Sequence, residues 1–338
     1  MKKYLSLFGL VFFLAIVLVS PVFAADEGQS TTFLSLERVE KILYGSIQEG
    51  GLLPRLSKAE KDLFGRELPG SLTERQQALL NYLEKPSQNQ PPMLFKLGVS
   101  EWIVTQRVEP SQPMGLRLSS LEQLLEGSTQ SGPLGARLER LISKLLPEGI
   151  VSHMATLPEG TILKARFMQN LTVRTVKKGD IVTLELNEDC VANGALVAAK
   201  GSRVFAEITN VKGPRSFGRS SEIGVGFKDL ETLDGRLTPV YIGPKAKKAM
   251  EVDSATIGAA GASLAGAVLL GPIGLAGGFL VRGSDKQIPS GSLVYVETTA
   301  SASVYGYPIP SSLKDRLTDA TVPQGTAGTG TSGQTEVK

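Results

Sequence analysis

Apolar and polar positions along the chain follow two different periods, one in each half. Between residues 36 and 137, leucine and small apolar residues recur at i, i+3 and i+7, which places them on one face of a helix. The stretches "LERVEKILYGSIQEGGLLPR" (36–55), "LSKAEKDLFGRELPGSLTER" (56–75) and "LSSLEQLLEGSTQSGPLGAR" (118–137) share the pattern L-x2-[VAL]-E-x2-L-[YFE]-G-x6-L-x2-R and form an internal repeat. Each copy predicts a short helix that opens at Leu36, Leu56 or Leu118. Each is closed by Gly45, Gly65 or Gly127, where a helix end favours a left-handed residue.

Isolated helices of this length are marginal in water, so the copies must pack on one another, on the downstream domain or on a partner. Leu36, Leu56 and Leu118, with Arg55, Arg75 and Arg137, are the candidate docking positions for an envelope protein partner. The columns Glu40, Glu60, Glu122 and Arg55, Arg75, Arg137 read as solvated surface charge, with pairing between copies as the alternative. Residues 84–117 read as a proline-rich insertion that carries a strand-like "EWIVTQRV", with Trp102 as a packing anchor.

From Ala155 the period changes to two. Leu163, Ala165 and Phe167 alternate with Lys164 and Arg166, and Val182, Leu184 and Leu186 with Thr183 and Glu185. Asn193-Gly194 and Asp234-Gly235 sit between strand-like runs and predict hairpins. A glycine and a hydroxyl residue precede a strand at Gly160-Thr161, Gly201-Ser202 and Gly291-Ser292. Recurrent short strands with tight turns predict a small barrel or sandwich. The fold class is therefore α+β, with helical repeats over 25–150, a β-rich domain over 151–310 and a low-complexity, disordered tail over 311–338.

The N-terminus sets the compartment. Lys2 and Lys3, an apolar core from Leu5 to Val19 and the small-residue site Val22-Phe23-Ala24 predict an export signal over 1–24, and hence a periplasmic, outer-membrane or secreted protein. Its removal leaves 34 basic against 33 acidic side chains, a balance that lacks the concentrated basic excess of a nucleic-acid binder. The clusters at Lys177-Lys178 and Lys245 to Lys248 read as solvated loop charges. The single cysteine, Cys190, reads as a buried small apolar residue. The single histidine, His153, lies at the start of a strand, and Asp180 and Asp189 fit turn chemistry. The sequence presents no P-loop, nucleophile elbow or paired metal-ligand motif, so no enzyme activity, cofactor or metal is expected.

One segment stands apart. Residues 254–281 carry no charge and include seven glycines and seven alanines, interrupted at Gly271-Pro272-Ile273-Gly274. Before the break, Gly258, Ala262 and Gly266 lie on one face of small side chains; after it comes Gly274-x3-Gly278. Such faces let helix backbones approach closely. The run predicts a helical hairpin that either self-associates at a membrane or packs internally. Gly258, Ala262, Gly266, Gly274 and Gly278 are the candidate self-association residues of a homo-oligomer.

The order "LPEGT", "NEDCVANGALVAAKGSRVFAEI", "FGR", "LDGRLTPV" and then an apolar insertion resembles a β-rich domain of bacterial cell-envelope proteins. More distantly it is similar to the C-terminal barrel of the type IV secretion and conjugation channel subunit (TrbI-like). In that barrel a helical insertion after the equivalent hairpin builds the pore through the outer membrane. The run also resembles the glycine-zipper segments of bacterial outer-membrane proteins. These likenesses imply a structural or assembly role in the envelope; the alternative is a soluble binding module for a glycan or peptide.

Overall fold

The computed structural model describes residues 27–86, 90–213, 221–259, 278–283 and 287–316, so the segment expected to be an export signal, 1–24, lies outside the described residues. Six helices come first: α1 (Glu27–Tyr44), α2 (Leu52–Phe64), α3 (Leu72–Glu84), α4 (Met93–Thr105), α5 (Met114–Glu126) and α6 (Leu134–Leu145). α1, α2 and α3 pack pairwise as one triad and α4, α5 and α6 as a second. The triads meet through α1 with α5, α2 with α6 and α3 with α4. Leu36, Leu56 and Leu118 are fully buried, so the repeat leucines pack on one another inside the array.

The charged columns are not surface charge. Glu40, Glu60 and Glu122 are completely buried. Each receives two hydrogen bonds from the arginine of the following helix: Arg55 on Glu40 at 2.8 and 2.6 Å, Arg75 on Glu60 at 2.8 and 2.6 Å, Arg137 on Glu122 at 3.1 and 2.6 Å. Glu40 and Glu122 also accept a backbone N–H from the loop between the two helices, that of Gln48 and of Gln130. A buried carboxylate is tolerable only when paired and hydrogen-bonded in this way, and the planar guanidinium fork meets it with two parallel bonds. For Glu122, burial alone raises the pKa, but the bonds from Arg137 and Gln130 and the charges of Arg137 and Arg140 outweigh it, and the net shift is downward. That contribution to stability is present above the unfolded carboxylate pKa and is lost as pH falls through the lower folded value.

Two sequence expectations change here. The strand-like "EWIVTQRV" is the C-terminal part of α4 and the turn after it. Its β-branched residues are overridden by burial of Val99, Trp102 and Ile103 in the helical core. α4 is also a fourth copy of the repeat. Leu97 opens it, Gln106 takes the left-handed closing position at φ 54°, and Glu101 receives Arg117 at 2.8 and 2.6 Å and the N–H of Glu109. It escaped the pattern because Ser100, Val104, Thr105, Gln106 and Met114 depart from its columns and its loop is one residue longer.

The rest of the chain is mainly strand: β1 (His153–Leu157), β2 (Ile162–Phe167), β3 (Ile181–Leu186), β4 (Cys190–Ala192), β5 (Ala195–Ala198), β6 (Arg203–Lys212), β7 (Ser221–Glu231) and β8 (Leu237–Tyr241). A helix, α7 (Pro244–Ala259), separates these from β9 (Gly278–Gly283), β10 (Leu293–Thr298) and β11 (Ala302–Pro308). β6, β3, β2, β10, β8 and β7 pair in that order, and β7 pairs back onto β6, closing a six-stranded antiparallel barrel. The period-two residues of β2 and β3 face inward as predicted, with Leu163, Ala165, Phe167, Val182, Leu184 and Leu186 in the barrel core. The Asn193-Gly194 hairpin joins β4 to β5 with both residues at positive φ.

Four strand entrances are built alike. Gly160, Gly179, Gly201 and Gly291 all take positive φ. Each donates its N–H to the carbonyl of a residue on the neighbouring strand, Thr298, Ile208, Leu186 and Phe167 respectively. The N–H of that same residue returns to the carbonyl of the residue after the glycine. Three of the four match the glycine–hydroxyl pairs of the sequence; the fourth uses Asp180, whose carboxylate accepts the N–H of Lys177.

A second sheet, ordered β1-β11-β5-β4, lies between the barrel and the helices. All of β5 is buried. Val197 faces the barrel core, and Leu196 packs with the helices. The first residues of the segment expected to be disordered form a short 3-10 helix, Ser311–Arg316; residues 317–338 lie outside the described residues.

Neighbouring residues on α3 should respond in opposite directions. Arg75→Met strands the buried Glu60 and should cost about 3–5 kcal/mol. Gln76 occupies the column of Leu56, is 1% exposed, and neither of its amide atoms has a hydrogen-bond partner among the described residues. Gln76→Leu should therefore stabilise the fold by about 1–3 kcal/mol. Urea denaturation followed by circular dichroism checks both signs.

Candidate functional site

The uncharged run enters and leaves the barrel through two built junctions. At entry, β8 ends, Pro244 supplies the first residue of α7, where a missing N–H costs nothing, and Glu297 of β10 reaches the helix start. Glu297 is 3% exposed and accepts the N–H of Ala246 at 2.7 Å. A carboxylate there meets both an orphan donor and the positive end of the helix dipole. Tyr241 hydrogen-bonds the same carboxylate, which raises the phenol's pKa. Gly243 is required by the close approach, because a Cβ at that position would collide with the Glu297 carboxylate. Lys245, Lys247 and Lys248 thus lie on the first turns of α7, not in a loop.

At exit, β9 adds antiparallel to β7, with Gly278 opposite Gly226 and Gly283 opposite Ser221. Gly226 has no room for a side chain, a Cβ there falling 2.9 Å from Thr209 Cγ2. Of the candidate self-association residues, Gly258 is on α7 and Gly278 opens β9, so the second arm of the predicted hairpin ends in strand. Ala262, Gly266 and Gly274 lie outside the described residues. No helix among the described residues is long and apolar enough to cross a membrane.

The candidate docking residues of the repeats serve the array itself. Leu36, Leu56 and Leu118 are in its core, and the Arg55, Arg75 and Arg137 side chains are 11–12% exposed in their pairs with glutamate. The glycines that close α1 and α2 have a second role. A Cβ on Gly45 would fall 2.7 Å from Pro113 Cγ, and one on Gly65 2.7 Å from Pro133 Cγ. Each glycine therefore receives the proline that precedes a helix of the other triad.

Trp102 joins the two halves. It is fully buried, packs edge-on to Tyr307 at 6.3 Å, and donates its indole N–H to Asp189 Oδ2 at 2.8 Å. Asp189 Oδ1 accepts the N–H of Lys200, whose carbonyl accepts the N–H of Val108. Asp189 is thus more than a turn residue. Burial raises its pKa, partly offset by the Lys200 and Trp102 bonds. Cys190 beside it is buried as expected, its thiol pushed up to about 12 by burial and the Asp189 charge. His153 is exposed at the start of β1.

A cleft of about 1140 Å³ opens between α1, α4 and the barrel, with Arg38, Lys41, Phe95, Arg203, Leu237 and Tyr305 among its walls. Two of its arginines pair locally, Arg38 with Glu84 and Arg203 with Glu231. Sequence reasoning had no handle on the cleft, whose walls come from segments far apart in the chain.

No protein-family model matches the chain, and none of the curated proteins matches it. Among solved structures it is similar to ComB10 of the Com type IV secretion system of Helicobacter pylori, at a TM-score of 0.24 and 13% identity, over 46% of this chain and 92% of that one. At that score the likeness adds no weight to any function.

Replacing Glu297 with alanine should free the start of α7 while leaving the barrel closed. Hydrogen exchange at the amides of residues 246–250 is expected to accelerate roughly tenfold, the effect of losing about 1.4 kcal/mol of local protection, with β2 and β3 unchanged.

Proposed function

We propose that this chain is an exported, non-enzymatic protein of the cell envelope with a structural or assembly role, self-associating through residues 254–281 at or in the outer membrane. The observation that carries this reading is the way the uncharged run is mounted. A closed barrel grips it at entry through Glu297 and α7 and at exit through the β7–β9 ladder. A segment held at both ends against a rigid wall is suited to present a surface to other copies. Its small-residue face is suited to close helix packing. The helical triads provide a second face for an envelope partner.

The reading as a non-enzyme draws support from the buried carboxylates. Glu40, Glu60, Glu101 and Glu122 each hold an arginine, Asp189 holds Trp102, and Glu297 holds α7. Each is tied to a structural partner.

The cleft favours a second reading, a soluble periplasmic or secreted module that binds a glycan or peptide between the helices and the barrel. Light scattering separates the two. Gly258→Leu combined with Gly266→Leu should convert an oligomer to a monomer with the barrel's circular dichroism retained. An oligomer of unchanged size would overturn assembly through this run.

A further inference from the structure

The two triads are held together by a repeated contact, and one position that could make it is open. In the filled cases the receiving element is Leu-x-Gly at the end of a helix, Leu43 to Gly45 and Leu63 to Gly65. The entering element is Pro-x-Gly at the start of another, Pro113 to Gly115 and Pro133 to Gly135. The proline stands over the left-handed closing glycine, as described above. The glycine two residues on faces the carbonyl of the receiving leucine, a Cβ on Gly135 falling 3.0 Å from Leu63 O and one on Gly115 3.8 Å from Leu43 O. Leu43 and Leu63 are 2% and 0% exposed.

The end of α5 repeats the receiving element. Gly127 closes it at φ 74° and ψ −1°, against 78° and 4° at Gly65. Nothing lies within 4 Å of a Cβ built on Gly127. Leu125, the counterpart of Leu43 and Leu63, is 43% exposed, and Leu124 beside it is 64% exposed. The residue at the place of Pro113 and Pro133 for this third socket is Ala195, inside β5, so here the chain has left the helical array.

We propose that the Leu125–Gly127 end of α5 is a docking site for a separate protein presenting a helix that begins Pro-apolar-Gly. The two filled sockets specify that chemistry. Both helix starts of this form among the described residues are already seated, and the remaining Pro-apolar-Gly of the sequence, Pro272-Ile273-Gly274, belongs to the run proposed above for self-association. The surface gives a location to the partner-binding arm of the function proposed above, and so rests on it. It does not depend on self-association through residues 254–281.

The probe is a fluorescently labelled synthetic peptide of residues 131–146, which carries the Pro133-Leu134-Gly135 start, titrated into the full chain by anisotropy. Saturable binding is expected. It should weaken at least about tenfold when the chain carries Leu125→Glu, or when the peptide carries Pro133→Ala and Gly135→Leu. Leu125 is already partly exposed, so circular dichroism of the variant should match the parent. Absence of binding to the parent chain, or equal binding after both changes, overturns the site. Sedimentation of the chain alone provides the other arm. If the parent self-associates and Leu125→Glu abolishes that, the occupant is a second copy and the assignment to a separate protein fails. A loss of oligomer in the Gly258/Gly266 variant with peptide binding intact leaves the two surfaces independent.

Discussion

A carboxylate buried between two helices must meet a cation in a fixed place, and this constraint organises the helical half. Four glutamates are buried or nearly so, and each receives a two-pronged arginine from the start of the next helix. Because an unpaired charge in that position would cost several kcal/mol, a shifted register is strongly disfavoured. The pairs therefore fix where each helix begins relative to the end of the one before. The third helix of each triad carries Leu80 or Ile142 where the others carry glutamate, so each ladder stops after two rungs. The chain thus repeats at two levels: helix after helix within a triad, then triad after triad.

The glycine–proline contacts explain why the triads stack. A left-handed glycine leaves the helix end bare, and a proline that cannot donate to a helix ladder fits against it. The second triad then meets the barrel through Trp102 and Asp189, with β5 buried on both faces between them. The barrel is closed by the pairing of β7 back onto β6, and four of its strand entrances are pinned to the neighbouring strand by the same pair of hydrogen bonds. A closed wall has no paired edge to lose, and that gives α7 and β9 a firm base.

Much of this was legible in the sequence where local chemistry decides the outcome. The repeat columns, the helix-closing glycines, the inward faces of β2 and β3, the Asn193-Gly194 turn and the α+β class all follow from short-range patterns. What escaped depends on distant partners. Burial of Glu40 and Glu60 cannot be seen from their spacing, because a charged column looks the same on a surface. α4 was hidden because its β-branched residues favour strand until tertiary burial decides. Asp189 looked like a turn residue because its partner, Trp102, lies far away in the chain. The two junctions of the insertion were also hidden, since Glu297 follows α7 by many residues.

The central claim is that residues 254–281 mount an assembly element on a rigid barrel. Fractionation of envelopes containing the tagged protein, with an alkaline carbonate wash, mild detergent extraction and sizing, tests it most directly. The account predicts retention through the wash and elution as a discrete oligomer. Release by the wash as a monomer would contradict it and would turn attention to the cleft between the helices and the barrel.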